Sequence, residues 1–418
     1  MSKHVWHPYS QMKTDKVLKV KSAKDSKITL EDGREIIDAV SSWWVNPHGH
    51  ANEHVAKTIY DQALTLEHVI FSGFTHEPAE RLAERVSKKY PGDLNRVFFS
   101  DNGSTAVEAA MKMAIQYHYN RGEQKTTLIA FENAYHGDTF GAMSSSQPDS
   151  FFNAFKPFHF KVERLPVPTE ENKAEVLAKF KAIALEGEAA AFIFEPLLQA
   201  ASGMILYPPH LLDMLISMAK QHGILCIADE VMTGFARTGK MFAMEYLEET
   251  ADICCLSKCL TAGFLPMALT LATDEIYQAF LDDDRSKMFF HGHSYTGNPI
   301  GCAAAHASMD LFEKEDFMPK INWIGQQHRA FLDKIKNHPK VTKPRMFGTM
   351  LAFDWNTGEG ATYFSSLRNT LYEFFLSQGV LLRPLGNVIY ILPPYCITKE
   401  ELEQVYTAIE KALDSIDG

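Results

Sequence analysis

No apolar stretch in these 418 residues approaches the roughly 20 residues of a membrane-spanning helix. The first residues, MSKHVWHPYSQM, carry no apolar signal core, so export is not expected and a cytoplasmic setting is. Positive charge is scarce. Against 52 Asp and Glu stand 41 Lys and Arg, and the formal charge of −11 argues against nucleic acid or an anionic membrane as the main partner. Cysteine is scarce as well. Cys226, Cys254, Cys255, Cys259, Cys302 and Cys396 form no CxxC pair and mostly sit among apolar residues, which disfavours a disulfide frame or a zinc site and favours reduced thiols. There is no internal repeat and no low-complexity segment. What remains is an ordinary globular composition, 46% hydrophobic and 22% charged, long enough for a large domain and a smaller one.

Within it, two short apolar runs end in chemistry. ILCIAD closes on Asp229 and ADICCLSK closes on Lys258. Both read as buried strands feeding loops, and strand ends are where α/β proteins place their sites. An acid and a lysine in one pocket suit an electron-poor ring: the acid keeps a pyridine nitrogen protonated, and the amine condenses with an aldehyde as a Schiff base.

Taken in order, residues 16–40 alternate apolar and polar side chains around Asp32-Gly33, the mark of a small antiparallel sheet. Trp43 and Trp44 follow; on an extended segment they face opposite ways, so at most one lines a pocket. RVFFSDNGSTAVEAAMKMAIQYHY predicts strand, polar loop and helix. Its Gly103-Ser104 amides suit a phosphate, and Ser104 or Thr105 supplies an ordinary N-cap. TTLIAF leads to Tyr135 and His136, where an aromatic can stack on a flat ring. AAAFIFEPLLQ and PMALTLAT are further strands, and the helix HLLDMLISMAKQHG stops at Gly223. The alternation over about 95–275 predicts a mainly parallel sheet with right-handed crossovers. After about residue 315, FGTMLAFDW, VLLRPL and NVIYIL read as strands with a helix near Tyr363 to Ser377, and Thr398 with Glu401 opens a last helix. The expected division is 1–50 and 316–418 as a small α+β domain built from both chain ends, and 51–315 as the large one. The pairs His48/His50 and His291/His293 invite a metal reading, but no suitably spaced carboxylate or cysteine accompanies them, and loop hydrogen bonding is favoured.

Together, ADEVMTGFARTGKMFAMEY, ADICCLSKCLTAGFLPMA, the Gly103-Ser104 loop and HGHSYTGNP resemble the class III aminotransferases of fold type I, over nearly the whole chain. The resemblance implies pyridoxal 5'-phosphate as cofactor, linked to Lys258, with Asp229 on the ring nitrogen, Gly103 and Ser104 on the phosphate and Tyr135 on the ring. It also implies a homodimer in which the loop holding Gly292, His293 and Ser294 reaches the neighbouring subunit's site: His293 and Ser294 toward the cofactor, Gly292 toward substrate. Ser294 stands where relatives usually carry threonine and keeps the hydroxyl; LLQAASG lacks the glycine that often follows the glutamine matching Gln199.

A narrower likeness lies in VWHPYSQM, SSWWVNPHGH, THEPAERLAERV and LLRPLGNVIYILPPY. These are similar to family members that convert 8-amino-7-oxononanoate to 7,8-diaminononanoate in biotin biosynthesis, usually with S-adenosylmethionine as amino donor. That likeness implies Tyr9, Trp43, Tyr135 and Arg383 as substrate-shaping residues, with Arg237 a lower-ranked second arginine. The alternative is a class III ω-amine aminotransferase of the 4-aminobutyrate, ornithine or diamine type.

Overall fold

The computed structural model describes residues 4–147, 152–358, 365 and 367–416. An N-terminal meander comes first, β1 (Val20–Lys24), β2 (Lys27–Leu30) and β3 (Glu35–Asp38), each strand antiparallel to the next. The main sheet then collects β4 (Arg96–Ser100), β5 (Thr127–Phe131), β6 (Val162–Leu165) and β7 (Ala189–Phe194). A small antiparallel pair, β8 (Leu198–Gln199) and β9 (Ile205–Leu206), stands apart from it. The sheet is completed by β10 (Leu225–Asp229), β11 (Ile253–Leu256) and β12 (Ala268–Ala272), in the order β4-β12-β11-β10-β7-β5-β6.

Its inner strands are buried on both faces, which is why they read as unbroken apolar runs such as TLIAF and ICCL, while the edge strands β4 and β6 are partly exposed. In β5, Ile129 and Phe131 join one core while Leu128 and Ala130 join the other. The helix Gly103–Asn120 packs its Ala106, Val107, Ala110 and Ala114 into that second core. The sheet is mainly parallel, as expected, with β12 alone reversed against β11 and β4. The connection at 257–267 is too short for a helical crossover, so the chain must return antiparallel.

Near the C-terminus β13 (Val341–Phe347), β14 (Met350–Trp355), β15 (Val380–Leu381) and β16 (Val388–Ile391) follow. β15 adds to β3 in parallel, and Leu392 N–H donates to Ala39 O at 2.9 Å, so the two ends of the chain meet. β6 and the helices Lys173–Leu185 and Phe317–Ile335 were not read from the sequence. The expected helix near Tyr363 is found as Leu367–Ser377; Tyr363 itself lies outside the described residues.

Two local readings are corrected. The N-cap of Gly103–Asn120 is Asn102, not Ser104 or Thr105: its Oδ1 accepts from Thr105 N–H at 3.1 Å, and Thr105 Oγ1 accepts from Asn102 N–H at 3.1 Å. The segment with the two tryptophans is not extended. Ser41, Ser42, Trp43 and Trp44 have φ of 49°, 44°, 75° and 72°, a left-handed turn made without glycine. Such a conformation costs about 1–2 kcal/mol per residue, so its surroundings must hold it.

Candidate active site

Asp229 ends β10, and Lys258 lies just past the end of its parallel neighbour β11. Parallel pairing puts both on the same edge of the sheet, where they line one cavity of about 410 Å³. Gly103, Ser104 and Tyr135 line it too, so five of the expected residues converge.

Lys258 opens a short 3-10 turn, Lys258–Thr261, with a φ of 41°, a strained backbone that aims its side chain inward. Its Nζ lies 4.5 Å from the centre of the Trp44 ring. Burial lowers the amine's pKa below the usual lysine value, against the opposing pull of Asp229 and Glu195. The result is an amine more readily neutral than a surface lysine, which a nucleophile and proton shuttle require.

Both oxygens of Asp229 are fixed. Oδ2 is paired with His136 Nδ1 at 2.7 Å, and Oδ1 accepts from Val231 N–H at 3.1 Å. His136 is fully enclosed, and its other nitrogen, Nε2, is buried with no hydrogen-bond partner among the described residues. Glu195 adds a second buried acid, pushed up to about 7 chiefly by burial, whose oxygens accept from Tyr135 and Ala200 N–H at 3.0 Å each.

Opposite the strand ends stands the first turn of Gly103–Asn120. The leading amides of a helix lack intrahelical acceptors and carry partial positive charge, which makes an anion cradle. The cradle is tight. A Cβ on Gly103 would sit 2.7 Å from Val231 Cγ1, and one on Gly137 would sit 2.1 Å from Ser104 Oγ. Val231 and Tyr135 supply apolar and aromatic walls. Anion cradle, flat walls, buried acid and half-buried amine together fit pyridoxal phosphate.

Beside the cavity, Tyr9, Trp43 and Arg383, none of which is in its lining, meet from distant parts of the sequence. Tyr9 and Trp43 pack edge to face at 5.2 Å, and the Arg383 guanidinium lies 5.1 Å from the centre of the Trp43 ring. Tyr9 Oη is 3.2 Å from Tyr135 Oη, and both hydroxyls donate to Asp138. Only one tryptophan lines the cavity, as expected of the pair: Trp44, 3% exposed, lies against Lys258, while Trp43, 42% exposed, stands outside the lining with Tyr9 and Arg383.

Other expectations separate from this cavity. Gly292, His293 and Ser294 line a different one of about 650 Å³, with His68, Phe71 and Phe98. Arg237 is fully buried and donates to Pro393 O at 3.1 Å and Trp44 O at 3.2 Å, so it clamps the backbone beneath the site. Gln199 is equally buried, donating to Glu132 O at 2.9 Å. His48 pairs with Ser308 O and His50 with Asp38; among the described residues no group of three or more His, Cys, Asp or Glu is placed to hold a metal. All six cysteines are free thiols, and no helix among the described residues is long and apolar enough to cross a membrane. His136, Gly137 and Val231 were missed as site residues; the signal available was their adjacency to Tyr135 and Asp229.

The Aminotransferase class-III family profile matches residues 9–413. The adenosylmethionine-8-amino-7-oxononanoate aminotransferase of Synechococcus elongatus is 46% identical, with 99% of each chain covered. That of Geobacter sulfurreducens is 38% identical over 100% of this chain and 97% of its own. Among solved structures, the enzyme of that name from Methanocaldococcus jannaschii superposes with a TM-score of 0.91 at 36% identity, covering 98% of this chain and 97% of its own. An amine transaminase from an uncultivated Pseudomonas species gives 0.92 at 31% identity, covering both chains fully. Extended end to end and matched by family, relatives and fold alike, the chain belongs to the class-III aminotransferases.

Proposed function

We propose that this pyridoxal-phosphate-dependent aminotransferase converts 8-amino-7-oxononanoate to 7,8-diaminononanoate for biotin synthesis, with S-adenosylmethionine as amino donor. The observation that carries the reading is the cluster of Tyr9, Trp43 and Arg383, which meets the Lys258 cavity through the contact of Tyr9 with the lining residue Tyr135. A long aliphatic keto amine ending in a carboxylate needs apolar cover along its chain and a planar cation at its end. The full-length likeness to the Synechococcus enzyme supports the same reading.

Bound pyridoxal phosphate supplies an electron sink for the carbon that bears the amine. The rest belongs to the chain. Lys258 takes the proton from that carbon and would return it to the cofactor carbon on the far side of the shared nitrogen, the neutral amine serving as base and its ammonium as acid. Asp229, oriented by His136, keeps a proton on the ring nitrogen. The first turn of Gly103–Asn120 holds the phosphate, Tyr135 and Val231 hold the ring, and Trp44 shields Lys258 from water. Arg383 takes the acceptor carboxylate through paired N–H bonds. Asp138 places a carboxylate at the mouth, which favours a donor that carries positive charge, as a sulfonium does.

We also read the loop at Gly292, His293 and Ser294 as completing the site of a second copy, since its cavity is not the one Lys258 lines. The working assembly is then a cytoplasmic homodimer, its small lobe built from 1–50 and 316–418.

Hydrogen bonds to charged groups contribute about 1.5–3 kcal/mol net, so Arg383→Ala is expected to raise the acceptor KM roughly 10- to 150-fold while changing kcat less. Steady-state kinetics with varied 8-amino-7-oxononanoate reads this; an unchanged KM removes Arg383 from the acceptor site. The donor is tested by supplying adenosylmethionine, lysine or alanine with that acceptor and measuring 7,8-diaminononanoate. Adenosylmethionine should be the effective donor; product with lysine alone overturns the donor assignment.

A further inference from the structure

The left-handed turn Ser41–Trp44 carries both tryptophans of the site, and a buried polar network outside the catalytic cavity holds it. Asp38, at the end of β3, is fully buried. Its carboxylate accepts from Ser42 Oγ at 2.7 Å, from Val40 N–H at 3.2 Å and from His50 Nε2 at 2.9 Å. Asn46 donates its side-chain amide to His50 Nδ1 at 2.8 Å, which sets the proton on Nε2, the nitrogen facing Asp38. The backbone of His50 is fixed in turn by paired bonds with Asp25, at 3.0 and 2.7 Å.

The network reaches the catalytic lysine from behind. Asn46 packs on Gly263, where a Cβ would lie 1.8 Å from Asn46 Oδ1, directly after the turn that Lys258 opens. Trp44 O is held by Cys259 Sγ at 3.3 Å and by Arg237 at 3.2 Å. One side of the turn is thus tied to β3 and the other to the Lys258 segment. Four non-glycine residues at positive φ relax unless such ties persist.

We propose that Asp38 and His50 are positioning residues for acceptor recognition: through Ser42 they hold the turn that presents Trp43 to Arg383 and Tyr9, without touching substrate. The inference rests on the reading of that mouth as the acceptor site. A histidine is needed rather than any filler, because one ring nitrogen must donate to Asp38 while the other accepts from Asn46. Glutamine can reproduce the donation; alanine reproduces neither.

The test is steady-state kinetics of the holoenzyme with varied 8-amino-7-oxononanoate, for wild type, His50→Ala, His50→Gln, Trp43→Ala and the double variant His50→Ala/Trp43→Ala. Because Trp44 keeps its own ties to Arg237 and Cys259, His50→Ala should raise the acceptor KM about ten-fold while kcat and the bound-cofactor absorbance change less, and His50→Gln should recover most of the loss. Because the network acts through Trp43, His50→Ala should add less than about two-fold once Trp43 is gone. An unchanged KM in His50→Ala, or the same increment with and without Trp43, overturns the proposal. If His50→Ala does not fold, Ser42→Ala, which removes one bond to Asp38, is read against the same criteria. Wild type that fails to use the acceptor is a separate result; it overturns the acceptor assignment and this inference with it.

Discussion

Replacing Lys258 with alanine is expected to lower turnover by about 10²–10⁴-fold for the lost proton shuttle alone, and further because the cofactor loses its covalent tether. The half-buried side chain lies over the Trp44 ring and shares its cavity with Asp229, and among the described residues no second lysine lines that cavity to replace it. Single-turnover kinetics and the near-visible spectrum check this: the variant should bind pyridoxal phosphate weakly and without the lysine-linked absorbance. Retention of that absorbance would reassign the attachment. Lys258→Arg should fail nearly as completely, since a guanidinium stays protonated. The pH dependence has a definite sign. Burial lowers the Lys258 pKa, and only the neutral amine attacks an aldehyde, so cofactor uptake by the apo protein should rise with pH through a value below the ordinary lysine value of about 10.4 and plateau above it.

Asp229→Asn is the second large effect. The amide keeps the shape and the bond from Val231 N–H but loses the negative charge that favours a protonated ring nitrogen. Removing a preorganised electrostatic partner in a buried site costs on the order of 10²–10³-fold in kcat. His136, 2.7 Å from Asp229 Oδ2, would face a neutral partner, which weakens its hold on the side chain's orientation. The expected pattern is a fall in kcat with the cofactor still bound, measured by rapid kinetics of proton abstraction from the donor. A variant with wild-type kcat would show that the charge of Asp229 does not drive the chemistry.

Much of this was legible because the signals are local. Asp229 and Lys258 each close an apolar run, and parallel pairing of neighbouring strands brings two such ends together without further information. The Gly103 helix start was visible for the same reason. Its cap was misplaced because Asn102 and Thr105 form a reciprocal pair that residue preference alone does not resolve. The tryptophan turn was not legible. Its conformation is imposed by Asp38 and His50, which a pattern of alternating residues does not connect to Ser42.

Tyr9, Trp43 and Arg383 were named through resemblance, and packing shows why periodicity could not name them. Tyr9 comes from the N-terminal arm, Trp43 from the strained turn and Arg383 from the segment after β15. Arg237, read as a second substrate arginine, is instead enclosed and bonded to two carbonyls; the sequence around it, GFARTGK, gives no sign of which lobe closes over it. The helix Phe317–Ile335 went unread although Phe317, Ile321, Ile324, Phe331 and Ile335 form a buried stripe. Its interruption by polar Gln326, Gln327 and a buried His328 obscured the period.

The central claim is that a lysine-based transamination site is matched to a long keto-amine carboxylate. It is tested most directly by offering the purified holoenzyme 8-amino-7-oxononanoate with adenosylmethionine and, in parallel, 4-aminobutyrate, ornithine and a diamine with a common keto acid. Formation of 7,8-diaminononanoate at a kcat/KM well above that for any of the ω-amines is the result expected. Efficient use of an ω-amine with no 7,8-diaminononanoate from any donor would contradict it, leaving an aminotransferase of another specificity.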